Sequence, residues 1–123
     1  MAQTAAWVDI YISDNATFQD AFQFVPPTGG TLTLLGMTFE MSVKASRDDV
    51  SPLVTFTSAA GQIVTSDIVN CIIHMNVVDT VIQTDLPAAE YDYDLIMLDT
   101  SVPPIRTQMM QGKIFVKHGV TET

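Results

Sequence analysis

From Met37 to Lys44 apolar and polar residues alternate without a break, with Met37, Phe39, Met41 and Val43 on one parity and Thr38, Glu40, Ser42 and Lys44 on the other. Side chains leave a strand on alternate faces, so this pattern predicts a strand with one face in a core and one in water. Val8, Ile10 and Ile12 share a parity in a first strand, and Phe18, Phe22 and Phe24 share one in a second, interrupted only by Asp20. Asp14-Asn15 supplies the turn between them. Pro26-Pro27-Thr28-Gly29-Gly30 ends the second strand, because it cannot continue a hydrogen-bonded ladder. Leu53 to Thr57 and Ile63 to Thr65 are short strand candidates on either side of Ala59-Ala60-Gly61. Val69 to Met75 and Tyr91 to Leu98 are nearly continuous apolar runs, which predict neighbouring central strands covered on both faces.

Asn76 to Pro87 holds the one helical candidate. Asn76 is its expected cap, Val77, Val78, Val81 and Ile82 fall on one side, and Pro87 stops it, giving a short helical turn near Val77–Gln83. Ile105 to Lys117 is the last strand region, with Gly112 as a candidate bulge that divides it, and the Asp99–Pro104 link before it carries a double proline. The total is seven or eight short antiparallel strands with turn signals at intervals of about ten residues and no alternation of strand and helix. That is the profile of an all-β sandwich. Residues 1–123 form a single domain in this reading, with 1–4 and 119–123 as flexible or partner-ordered tails.

Composition narrows the partners. Charged residues make up only 15 % of the chain against 47 % apolar, a shortage consistent with surface buried against other proteins, or with outward positions filled by Thr, Ser, Gln and Asn. Five Lys and Arg against fourteen Asp and Glu leave a net charge of −9, and only Lys113, Lys117 and His118 approach a basic cluster. Binding to nucleic acid or to an anionic membrane is disfavoured, because phosphate neutralisation needs grouped cations. The N-terminal Met-Ala-Gln-Thr-Ala-Ala-Trp has no basic region followed by an apolar stretch, and no segment reaches the roughly 18 apolar residues of a membrane helix. A protein folded in a reducing cytosol is expected. Asn15-Ala16-Thr17 is then a chance glycosylation match, and the single Cys71 an inert buried thiol with no partner for a disulfide.

The inventory for catalysis is thin. Asp92 and Asp94 share a face two residues apart, but neighbours on one strand cannot straddle a scissile bond, and the plainer reading is a solvated pair. Arg47-Asp48-Asp49 reads as an exposed turn without the alternate oxygen ligands of a calcium loop. His74 and His118 are far apart and no metal-ligand pair occurs, so neither a metal nor another cofactor is expected, and His74 reads as a structural histidine. No nucleophile elbow, P-loop or dinucleotide fingerprint is present, and the chain is read as no enzyme. Trp7 and Tyr11 lie on the parity opposite Val8, Ile10 and Ile12, either packed or exposed as anchors for a partner. Tyr91 and Tyr93 follow Pro87-Ala88-Ala89 at the start of a strand, which resembles the tyrosine corner of immunoglobulin-like sandwiches, with Tyr91 closing the preceding connection and Tyr93 where such domains often carry a second cysteine.

The order of these features resembles small domains of tailed-bacteriophage structural proteins, best known as the N-terminal domain of upper baseplate proteins. The matching pieces are Ile12-Ser13-Asp14-Asn15-Ala16-Thr17-Phe18, Leu34-Leu35-Gly36-Met37-Thr38-Phe39, Thr80-Val81-Ile82, Tyr91-Asp92-Tyr93-Asp94-Leu95, Gly112-Lys113-Ile114-Phe115-Val116 and Val120-Thr121. The likeness spans nearly the whole chain in short pieces. It departs at Ser13-Asp14, where Gly-Asp is usual, and at Ala88-Ala89, where a Gly usually precedes the tyrosines. The resemblance implies an immunoglobulin-like sandwich in the tail, baseplate or neck of a virion assembled in the host cytoplasm. It would dock in many copies onto other virion proteins, with no small-molecule substrate. A carbohydrate-binding adhesion module and a head decoration protein are the alternatives, the first resting on Trp7, Tyr11, Tyr91 and Asp92.

Overall fold

The computed structural model describes residues 6–25 and 32–119. Nine strands and one helix follow one another as β1 (Ala6–Trp7), β2 (Ile10–Ser13), β3 (Phe18–Gln23), β4 (Thr38–Lys44), β5 (Val54–Thr57), β6 (Ile63–Asp67), β7 (Ile72–Val77), α1 (Asp79–Asp85), β8 (Ala89–Leu98) and β9 (Arg106–Lys117). They form two sheets. The larger runs β1-β9-β8-β4-β5, with β2 also paired to β9, and the smaller runs β3-β7-β6. This is an all-β sandwich with immunoglobulin-like strand order: when β1 and β2 count as one, the second, sixth and fifth strands face a sheet that runs first, eighth, seventh, third and fourth.

Alternation explains the layers. Phe39, Met41 and Val43 of β4 and Tyr91, Tyr93, Leu95 and Met97 of β8 are buried from one side, and Ile63 of β6 with Ile73, Met75 and Val77 of β7 from the other. Together with Ile82 and Leu86 at the α1 connection they form one cluster. Removing this apolar area from water is the main driving force for the fold. Asp14 and Asn15 stand in the turn between β2 and β3 and carry the chain from one sheet to the other.

Several expectations are corrected. Val69 to Cys71 is a turn, with Val69 87 % exposed, because the Asp67 carboxylate accepts the Asn70 backbone and side-chain N–H groups at 3.0 and 2.8 Å. Cys71 then takes a left-handed φ of 58°, and its buried thiol donates to the Leu32 carbonyl at 3.2 Å. The strands β7 and β8 are not neighbours. Each buries only one face, and they sit in opposite sheets with the core between them. Asn76 does not cap the helix, since it belongs to β7 and its N–H donates to the Gln62 carbonyl at 2.9 Å; Val78 occupies the cap position without a side-chain bond. The strands are not all antiparallel, because β1 and β2 run parallel to β9. The expected Pro26–Gly30 connection and most of the tails at 1–4 and 119–123 lie outside the described residues.

Gly112 does not divide β9, which runs unbroken from Arg106 to Lys117 and pairs Gly112 with Tyr93. The irregularity in the β8–β9 ladder lies instead between Leu95 and Ile96, where Met109 is the extra residue. It is the first strand that is interrupted, at Val8 and Asp9, while keeping one register against β9 on both sides. Gly112 faces that interruption. A Cβ on Gly112 would fall inside the van der Waals shell of the Val8 carbonyl, so only glycine lets the two backbones approach this closely.

The hydrogen bonds of the interruption are satisfied by other means. The Val8 N–H donates to the Gln111 carbonyl at 2.9 Å, the Val8 carbonyl accepts the Tyr93 hydroxyl at 2.5 Å, and the Lys113 N–H donates to the Asp9 carboxylate at 3.2 Å. Burial first, and the Asp9 charge second, hold the Tyr93 phenol well above its ordinary value, so it stays a neutral donor. Where a disulfide often crosses such a sandwich, a tyrosine here ties β8 to the first strand within the larger sheet.

Tyr91, three residues into β8, is buried, and its hydroxyl donates to the Pro87 carbonyl in the arrangement of a tyrosine corner. Replacing Tyr91 with phenylalanine leaves that carbonyl without its donor and is expected to cost about 1–2 kcal/mol. Urea unfolding with an unchanged slope would measure it, and a loss below the experimental error would remove the corner from the account of stability.

Candidate functional site

The outer face of the larger sheet carries the exposed aromatic residues. Trp7 on β1 is 57 % exposed and Tyr11 on β2 is 68 % exposed, because β1 and β2 form the sheet edge and turn this parity away from the core. Tyr11 sits opposite Phe115 of β9, and the two rings stack at 5.1 Å with 15° between their planes. Trp7 sits opposite Gln111. Its indole N–H donates to Asp9 at 3.1 Å, and the Arg47 guanidinium lies over its ring at 5.7 Å.

Around the aromatics lies a lattice of paired charges. Lys113 Nζ is 2.8 Å from Glu90 and 3.5 Å from Asp92, and the first of these contacts, with Asp92 in support, raises the Lys113 ammonium above its ordinary value. Asp92 is no solvated carboxylate: its side chain is mostly covered, it accepts the Arg47 backbone N–H at 2.9 Å, and the Arg47 guanidinium stands 3.9 Å away. Asp94 receives the Gln108 amide at 3.5 Å, and Arg106 meets Glu40 at 3.3 Å. All five Lys and Arg residues of the chain, Lys44, Arg47, Arg106, Lys113 and Lys117, lie on this face or its rim. The face also carries Asp9, Glu40, Glu90, Asp92 and Asp94, so it is charged but balanced. Surface pairs of this kind add little stability. Their effect is to fix Trp7 and Arg47 in one arrangement.

A shallow open hollow lies beside this lattice, lined by Ser42, Lys44, Arg47, Asp92, Tyr93 and Asp94. Asp92 is already committed to Arg47 and Lys113, which leaves it poorly placed to act as a base or nucleophile. Among the described residues no group of three or more His, Cys, Asp and Glu side chains is placed to hold a metal ion, and no helix is long and apolar enough to cross a membrane.

Of the sequence candidates, the structure brings Trp7 and Tyr11 onto one exposed edge and separates them from Tyr91, which is buried. Phe115 and Arg47 complete the patch, although the sequence places Arg47 only in an exposed turn and Phe115 only in the last strand, and offers neither as an anchor. Phe115 was legible in principle, since it shares the outward parity of Lys113 and Lys117 between the buried Ile114 and Val116. Arg47 was not, because a loop brings it back over β1.

The other titratable contact lies at the far end of β2. The Asp14 carboxylate accepts the Gly119 N–H at 2.7 Å and stands 2.8 Å from His118 Nδ1, while the Asp14 carbonyl accepts the Gln83 amide. The Gly119 bond first, and His118 second, hold the Asp14 carboxyl below its ordinary 3.8. A depressed folded-state value means that this contact contributes fully above 3.8 and is lost as pH falls through the lower folded value. Slow exchange of the Gly119 amide is therefore expected at neutral pH and fast exchange in stronger acid. Asp14→Asn should give fast exchange at both, and protection unchanged by Asp14→Asn would contradict the assignment.

Neither a scan against protein-family models nor a search of curated protein sequences returns a match for this chain.

Proposed function

We propose that this immunoglobulin-like sandwich is a structural subunit of a tailed-bacteriophage particle, in its tail, baseplate or neck, and that it acts by stoichiometric docking onto neighbouring virion proteins. The observation that carries the docking is the exposed group of Trp7, Tyr11 and Phe115 with Arg47, held on a rigid sheet edge. Trp, Tyr and Arg are the residues that most often dominate protein interfaces, because they bury much area for little lost conformational freedom. The likeness in feature order to upper-baseplate N-terminal domains supports the choice of particle. Contacts that are weak singly become strong when many copies are held in one assembly.

A glycan-binding module would use the same rings but is favoured less by their geometry. Tyr11 is stacked on Phe115 and Trp7 lies under Arg47, which leaves one free face on each ring, and Tyr91, the third ring such a module would use, is buried. No reaction enters the proposal. Mass spectrometry of purified particles tests it: the protein is expected at a fixed ratio to the tail proteins, and its absence from intact particles would overturn the reading.

A further inference from the structure

The two sheets end in four edges, at β1–β2 and β5 in the larger and at β3 and β6 in the smaller. A sheet edge offers a row of backbone donors and acceptors that a further strand can pair with, and folded proteins usually blunt it. Three of the edges are blunted here. On β5 the Thr57 N–H donates to the Gln62 side-chain oxygen at 3.3 Å, and the Thr57 carbonyl accepts the Gln62 N–H at 3.2 Å. On β3 the Ala21 N–H donates to the Asp20 carboxylate at 2.9 Å. The register of β6 shifts between Thr65 and Asp67, and Asp67 sets a carboxylate at the end of that edge. The β1–β2 edge is open. Val8 and Asp14 donate their N–H groups to Gln111 and Lys117 of β9, so the even residues face the ladder and the odd ones, Trp7, Tyr11 and Ser13, turn their backbone groups outward. The N–H groups of these three residues and the Trp7 and Tyr11 carbonyls have no partner among the described residues. The one charge on the edge, Asp9, is turned back onto the Trp7 indole and the Lys113 N–H. Beside Ser13 on the outward face stands Lys117, exposed and without an ion pair among the described residues, whereas Arg47, Arg106 and Lys113 are all paired.

We infer that the β1–β2 edge takes an extended segment of a partner protein as an added strand, with apolar side chains opposite Trp7 and Tyr11 and a carboxylate opposite Ser13. Unpaired backbone groups on alternate residues of a strand are matched by another extended chain, whose main-chain bonds give the affinity while its alternate side chains give the choice of partner. Trp7 and Tyr11 become cross-strand neighbours of the apolar side chains. Ser13 is small, so the Lys117 ammonium reaches across it to an acidic side chain. A second copy of this chain fits less well, because the same edge of the copy offers Trp7, Tyr11 and Ser13 and no free carboxylate for Lys117. Strand addition rests on the docking role of the aromatic edge proposed above, yet the two fail separately: incorporation of aromatic variants into particles tests the edge, and peptide binding by the isolated chain tests the strand.

Titration of the whole chain with the peptide acetyl-Glu-Thr-Val-Thr-Thr-Thr-Val-amide is the test. Antiparallel pairing sets its glutamate opposite Ser13 and its two valines opposite Tyr11 and Trp7. Saturable binding is expected, read from the emission of Trp7, the one tryptophan of the chain, together with slowed amide exchange at Tyr11 and Ser13. Methylating the backbone nitrogens of the two valines should weaken binding by about tenfold or more, because it removes donors that face the edge. Lysine in place of the peptide's glutamate should weaken it by about fivefold, and Lys117→Glu should reverse that preference. No binding at millimolar peptide, binding indifferent to methylation, or a Lys117→Glu chain that keeps the wild-type preference would overturn the inference. So would slowing of the Tyr11 and Ser13 amides with protein concentration alone, which is the sign of a second copy on this edge.

Discussion

Replacing Gly112 with alanine is expected to destabilise the sandwich by about 3 kcal/mol, the upper part of the range for forcing extra volume into packed structure. The added methyl group collides with the Val8 carbonyl, and this oxygen cannot simply move aside, because it accepts the buried Tyr93 hydroxyl. Relief requires β1 and β2 to lift from β9, which breaks the Val8–Gln111 bond, strands the Tyr93 hydroxyl and frees Asp9 from Lys113. Urea unfolding gives the energy. Hydrogen exchange locates it, with loss of protection at Ile10 and Ile12, whose N–H groups share the ladder-facing parity of Val8 and Asp14, before the β4–β8 ladder. A variant as stable as the wild type would show that the first strand is not held by this close approach.

The second large effect concerns binding rather than folding. Trp7→Ala and Tyr11→Ala remove side chains that stand mostly in water, so each should change folding stability by no more than about 0.5 kcal/mol. Losing an interface anchor costs about 2 kcal/mol or more, which is roughly thirtyfold in affinity. In competition with the wild-type chain during particle assembly, the double variant should therefore be almost excluded while melting within a few degrees of the wild type. Equal incorporation would move the docking surface elsewhere. Arg47→Ala should show a smaller loss of the same sign, since Arg47 fixes the Trp7 ring and reaches Gln111 at 3.4 Å.

Much of the fold is legible in the sequence because strands with one buried face write their pattern directly. Met37 to Lys44 is the clearest case, and its alternation is realised residue by residue in β4. The apolar runs are less legible. Val69 to Met75 has the composition of a doubly covered strand, yet Asp67 folds its first part into a turn, a local hydrogen bond that outweighs the hydrophobicity of Val69. The pairing of strands is a further step away. Tyr91 to Leu98 and Ile72 to Val77 are both central and both apolar, and which lies beside which depends on the crossing made after α1, not on either run. Gly112 shows the same limit: a glycine within a strand signals a bulge or a close approach of another backbone, and only the partner strand decides between them.

The candidate site was half legible. The parity of Trp7 and Tyr11 against Val8, Ile10 and Ile12 places them on the outer face, and the structure leaves them exposed. Their meaning depends on Phe115 and Arg47, which arrive from β9 and from the loop after β4, more than thirty residues away in sequence. The pairing of Asp92 with Arg47 and Lys113 was hidden for the same reason, so two adjacent carboxylates that suggest chemistry in the sequence become part of a charge lattice in the fold.

A reconstruction of the intact particle at side-chain resolution tests the docking role most directly. The expected result is a repeated sandwich-shaped density into which this chain fits, with Trp7, Tyr11 and Phe115 covered by a neighbouring virion protein. Particles with no such density, or with the subunit present and its aromatic edge facing solvent, would contradict it.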